Sequence, residues 1–138
     1  MKKLGRILIC VFLITALCVS FAACNKNLKE VAGTYELDEV SGYVINNGQR
    51  IDISNDSYEY FTLTLDKKGN ATVKSKGAGT TVTVEASGEY TYKDGKISLT
   101  TTQGGLSVTE IYDYADGYIT YTIDNPSVGS FNIKFKRV

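Results

Sequence analysis

The sequence predicts an all-β protein: eight antiparallel strands in an up-and-down meander that closes into a barrel, set behind an N-terminal export segment. Three observations carry this. After residue 30, apolar and polar residues alternate with period two almost throughout. β-Branched and aromatic residues fill those runs, and all ten tyrosines fall in them. Glycine-bearing turn sequences punctuate them at short intervals, and Pro126 is the single proline.

The first strand is expected over Thr34 to Val40, with Tyr35 and Leu37 on one face. A polar stretch from Ser41 to Ser57 follows, and Asn46-Asn47-Gly48 within it signals a small hairpin. The stretch reads either as a lid over one barrel end or as a solvated loop. Phe61, Leu63 and Leu65 then alternate with Thr62, Thr64 and Asp66, and Lys67-Lys68-Gly69 turns the chain into Ala71, Val73 and Ser75. After Gly77-Ala78-Gly79, the row Val82, Val84, Ala86, Gly88, Tyr90 and Tyr92 keeps one parity, which predicts a single strand bent at Gly88. Lys93-Asp94-Gly95 leads to Ile97, Leu99 and Thr101; Gly104-Gly105 leads to Leu106 through Tyr114. Val108 and Ile111 differ in parity there, predicting a bulge near Glu110. Ala115-Asp116-Gly117 leads to Ile119, Tyr121 and Ile123, and the last strand carries Phe131, Ile133 and Phe135.

Short links make neighbours in sequence neighbours in space, which gives a meander rather than a Greek key. A twisted meander with one apolar face closes most naturally into an up-and-down barrel. Charge supports closure: Thr34, Glu36 and Asp38 on the outer face of the first strand complement Asn132, Lys134 and Lys136 on the last. The competing reason for those lysines is protection of an open edge.

The N-terminus reads as targeting. Lys2, Lys3 and Arg6 precede an apolar run from Ile7 to Val19, and Ser20-Phe21-Ala22-Ala23-Cys24 follows. That run is short for a bilayer span, which needs about 20 residues. Removing residues 1–23 takes three of the 15 basic residues and none of the 15 acidic ones, so the remainder is mildly acidic. A nucleic-acid partner is therefore not expected. The three cysteines, Cys10, Cys18 and Cys24, all lie in or beside the export segment, so the folded domain has no disulfide available.

Phe21-Ala22-Ala23-Cys24 resembles the lipobox of bacterial lipoproteins, with Phe21 where that family prefers leucine. The resemblance implies a diacylglyceryl thioether on Cys24 and cleavage before it. The implied division is 1–23 signal peptide, 24–31 lipidated N-terminus and tether, and 32–138 barrel domain. Two acyl chains hold a protein on a bilayer durably where one is marginal. The expected location is a bacterial membrane, with the domain on the extracytoplasmic side. Further on, Val31-Ala32-Gly33-Thr34-Tyr35 resembles the Gly-x-Trp opening of lipocalin-like domains, with Tyr35 in the tryptophan's place. Ser87 through Ile97 resembles their unit of aromatic strand, Asp-Gly turn and apolar strand, and Phe131 to Val138 resembles their closing strand. This likeness implies a small barrel and an apolar interior, without naming a ligand.

The domain has no histidine, cysteine or tryptophan, which removes Ser–His and Cys–His nucleophilic sites and thiolate–imidazole metal sites. No enzymatic activity, cofactor or metal is expected. Among the acidic residues only Glu110 has an arguable inward placement. Asp113 with Asp116, and Asp52 with Asn55 and Asp56, offer oxygen ligands but match no calcium-loop spacing, and turn chemistry accounts for them. Tyr90, Tyr92, Tyr112, Tyr114 and Tyr121 are the candidate ligand-binding residues: rings for an apolar ligand, hydroxyls to orient it. The same five also suit a filled core whose hydroxyls reach water. The leading expectation is a monomeric, surface-tethered barrel that binds a small hydrophobic or amphiphilic molecule inside or at its mouth. The alternative is an interaction or inhibitor module with a filled interior.

Overall fold

The computed structural model describes residues 28–138; the export segment and Cys24 lie outside the described residues. A helical turn, α1 (Leu28–Val31), comes first. Nine strands follow: β1 (Gly33–Asn46), β2 (Gln49–Asp52), β3 (Tyr58–Leu65), β4 (Asn70–Gly77), β5 (Thr83–Lys93), β6 (Lys96–Gln103), β7 (Leu106–Ala115), β8 (Tyr118–Asn125) and β9 (Gly129–Arg137). The strand order is β2-β1-β3-β4-β5-β6-β7-β8-β9, and β1 also pairs with β9. The wall is thus a closed antiparallel barrel of eight strands in up-and-down order, with β2 as one extra strand.

Local chemistry sets the hairpins. Asn47-Gly48, Asp94-Gly95 and Asp116-Gly117 all have positive φ at both residues, as two-residue primed turns require. At the β3–β4 turn the Asp66 carboxylate accepts the backbone N–H of Lys68 and of Asn70, both at 2.8 Å. The single bent strand expected around Gly88 is present. A Cβ there would strike the carbonyl oxygen of Thr100, so only glycine lets β5 and β6 approach this closely.

Closure follows the expected charge pattern in outline. Glu36 lies opposite Lys136, while Lys134 faces Glu39 rather than Asp38, because the register shifts between Leu37 and Glu39. That bulge explains two departures. The first strand runs to Asn46, not Val40, and the inward parity flips from Tyr35 and Leu37 to Val40 and Val44. The stretch read as a lid or loop is therefore largely wall: Tyr43 to Asn46 pair with β2. Between the β2 and β3 ladders, a 3-10 turn at Asn55–Ser57 interrupts the edge of β1. The Asn55 carboxamide fills in for backbone there, accepting Val40 N–H at 2.7 Å and donating to the Asp38 carbonyl at 2.9 Å.

No bulge lies near Glu110. The β6–β7 register is continuous from Lys96↔Asp113 to Gln103↔Leu106. Ile111 breaks the apolar row because it faces outward, 60% exposed. The irregularity is on the other side of β7, whose ladder with β8 holds only three pairs, Asp113↔Thr120, Tyr114↔Ile119 and Ala115↔Tyr118. Above them the two strands part, although β7 stays paired to β6 and β8 to β9.

Candidate functional site

Call the end carrying the β3–β4, β5–β6 and β7–β8 turns the lower end. It is sealed. In α1, which occupies the last four residues of the segment read as tether, Leu28 and Val31 are buried. Tyr35 donates its hydroxyl to the Val31 carbonyl at 2.6 Å. Arg137 Nη2 donates to the Glu30 carbonyl at 2.6 Å and to the Tyr35 hydroxyl at 2.8 Å.

Three of the five candidate tyrosines belong to this seal. Tyr90 donates its hydroxyl to the Asp66 carbonyl, and burial, then the Asp66 charge, push its pKa up to about 12. Tyr92 and Tyr114 meet edge-to-face, centroids 5.7 Å apart. Their hydroxyls reach Glu30, Tyr92 at Oε1 (3.5 Å) and Tyr114 at the carbonyl (3.4 Å). These three hold the plug.

Above the plug the interior is graded. On the β1–β9 side the inward residues Val40, Val44, Phe131 and Ile133 are buried, and Ile53 packs in with them from the β2–β3 connection. On the β4–β5–β6 side, Val73, Ser75, Val84, Ala86 and Thr101 share the inward parity of the buried Ala71, Tyr90 and Leu99, yet each retains partial solvent contact. Their neighbours on the wall pair on both sides, so solvent reaches them from within. The barrel is a cup, closed below and open above over β4, β5 and β6.

Glu110, Tyr112 and Tyr121 stand in the wall of this cup. Glu110 is half-buried, lies opposite the fully buried Leu99 and accepts the Tyr112 hydroxyl. Burial, only partly offset by that hydrogen bond, pushes its pKa up to about 7. Tyr112 and Tyr121 face each other where the β7–β8 ladder stops, centroids 4.9 Å apart. Both phenols are pushed well up, first by burial and then by the Glu110 charge. Tyr121 continues to Phe131 at 6.4 Å. Tyr58, packed against Phe61 at 5.2 Å, has a buried hydroxyl without a protein hydrogen-bond partner.

The acidic residues weighed for calcium are otherwise engaged. Asp113 pairs with Lys96, Asp52 pairs with Arg50 at 3.1 Å, Asn55 bridges β1, and Asp116 is a turn residue with φ of 52°. Among the described residues, no three acidic side chains converge on a point that could hold a metal ion.

Neither a known protein family nor a curated protein matches the chain. Among solved structures, an uncharacterized protein from Bacteroides eggerthii is similar at 12% identity, over 78% of this chain and 99% of that one, with a TM-score of 0.46. The fluorescent protein UnaG aligns at 13% identity, over 80% of this chain and 99% of its own, with a TM-score of 0.44.

Sequence reasoning picked out Glu110 as inward and Tyr112 and Tyr121 as candidates, and the structure brings these three together. It missed Tyr58, which lies on inward parity only because the β3–β4 register shifts between Tyr58 and Tyr60. It also missed Arg137, although a basic residue at the end of an apolar strand is a signal for a polar barrel end.

Proposed function

We propose that this protein is a membrane-anchored, extracytoplasmic binding protein that takes a small hydrophobic or amphiphilic molecule into the upper half of its barrel. The observation that carries it is the graded interior: inward residues are sealed below by α1 and wetted above along β4, β5 and β6. A core built only for stability has no use for wetted Val73, Val84 and Ala86. Each buried CH₂ of a ligand covering them is worth about 0.8 kcal/mol. Ser75, Thr101 and the Tyr58 hydroxyl supply polar groups that orient such a molecule.

The anchor reading places the cup. Cys24 precedes Leu28 by four residues, and at 3.8 Å per step this allows roughly 15 Å. Leu28 is buried in the lower end, so a lipid on Cys24 holds that end against the bilayer and turns the mouth away. The ligand then comes from the extracytoplasmic medium rather than from the membrane beneath.

Native mass spectrometry of protein purified from its source membrane tests the binding reading. A co-purifying small mass that organic extraction removes is expected; only the bare protein mass, across preparations, would contradict it. A second reading, a protein-interaction module, is favoured by Val82 and Leu106, which stand 42% and 60% exposed on the upper connections. It predicts that V82S/L106S abolishes partner capture, whereas a small-molecule cup keeps its ligand in that variant.

A further inference from the structure

Resting on the binding reading, we infer that the cup selects a cationic amphiphile: an apolar body bearing a protonated amine, with the ammonium held by Glu110 between Tyr112 and Tyr121 at the split in the β7–β8 wall. The placement of charge motivates this. Along the wall, the acidic and basic side chains of β4, β5 and β6 (Lys74, Lys76, Glu85, Glu89, Lys93 and Lys96) occupy the outward parity. Arg137 shares the inward parity but is used by the lower seal. Glu110 is the acidic group on the inward row of β7.

Its surroundings suit an ammonium group. Leu99 lies beside it on β6, and no strand pairs with β7 at its level on the β8 side. The printed hydrogen bond comes from Tyr112 and occupies Oε2 alone. A carboxylate accepts several donors, and an ammonium carries three. The Tyr112 and Tyr121 rings flank the same point, and a cation over a tyrosine face is attracted to it. An anionic amphiphile would set like charge against Glu110. A neutral one would leave an ionised carboxylate without a counter-charge, the costly arrangement in a partly dry site. The titratable groups that face Glu110 are Tyr112 on its own strand and Tyr121 on β8, both phenols held neutral across the working range.

The test is calorimetric titration of the purified full-length protein with three probes of one chain length: decylamine, decanol and decanoate. At pH 8 the expected order is decylamine tightest, at least tenfold over decanol, with decanoate weakest. At pH 5, where Glu110 is protonated, the amine preference should shrink by roughly an order of magnitude. Glu110→Gln should bring the three affinities together, while Asp124→Asn, on the exposed outer face of β8, should keep the wild-type preference. Equal affinities in the wild type, or an amine preference that survives Glu110→Gln, would overturn the cation assignment and leave the cup standing. Failure of all three probes to bind would overturn both.

Discussion

Replacing Glu110 by glutamine should stabilise the protein, and by an amount that depends on pH. The carboxyl is pushed from an ordinary 4.5 up to about 7, chiefly by burial. The folded state therefore holds the proton more tightly than the unfolded chain, and between these two values it binds more protons. Stability falls with pH wherever the folded state binds more protons. The contribution of Glu110 is thus fully present below about pH 4.5 and is lost as pH rises through 7. The shift of 7 − 4.5 = 2.5 units, at 1.36 kcal/mol per unit, amounts to about 3 kcal/mol. Glutamine has the same shape and keeps an oxygen for the Tyr112 hydroxyl, but it never ionises. At pH 4 the variant and wild type should match within about 1 kcal/mol, the usual scale of one altered hydrogen bond. At pH 8 the variant should be more stable by about 3 kcal/mol, or on the order of 10 °C in Tm for a domain of this size. Urea unfolding followed by far-ultraviolet circular dichroism at pH 4, 6 and 8 provides the assay. A stability difference that stays constant across that range would refute the enclosure of Glu110.

Other expectations follow from single contacts. Gly88→Ala places a methyl against the Thr100 carbonyl and should cost about 2 kcal/mol or more in the same unfolding assay. Asn55→Ala strips partners from Val40 N–H and the Asp38 carbonyl, and a loss of about 1–2 kcal/mol is expected; Asn55→Asp, which keeps the acceptor alone, should fall between. Tyr35→Phe removes the hydroxyl that joins Val31 to Arg137, so faster amide exchange at Ala32 and Gly33 should report a loosened lower end. Cys24→Ser should move the protein from the membrane fraction to the soluble extracytoplasmic fraction. A variant that remains in the membrane would remove the lipid from the account.

The barrel was legible because a sheet with one buried face writes its period into the chain. Tyr35, Leu63, Leu99, Ile119 and Ile133 fall on the predicted inward rows and are all buried, and the short glycine turns force neighbouring strands to pair. What escaped were the places where pairing and parity separate. The Asp38 bulge flips the inward row of β1, so Gly42 and Val44 looked like loop residues. The parting of β7 from β8 leaves no mark, because both strands alternate correctly against their other neighbours. Parity also gives the face a side chain points to without its height along the barrel. Tyr90, Tyr92 and Tyr114 therefore read like Tyr112 and Tyr121, although the first three meet α1 at the lower end. The turn α1 itself is too short for any periodic signal, and its place is set by what Tyr35, Tyr114 and Arg137 bond to.

The graded interior is tested most directly by NMR shift mapping of the isotopically labelled protein titrated with decanol. Occupation of the upper cup predicts saturable shifts at Val73, Val84, Ala86, Thr101 and Tyr112, with Leu28, Val31 and Ile97 unmoved. Shifts confined to outward residues such as Thr72, Ile111 and Thr122, or equal movement at both ends of the barrel, would contradict it.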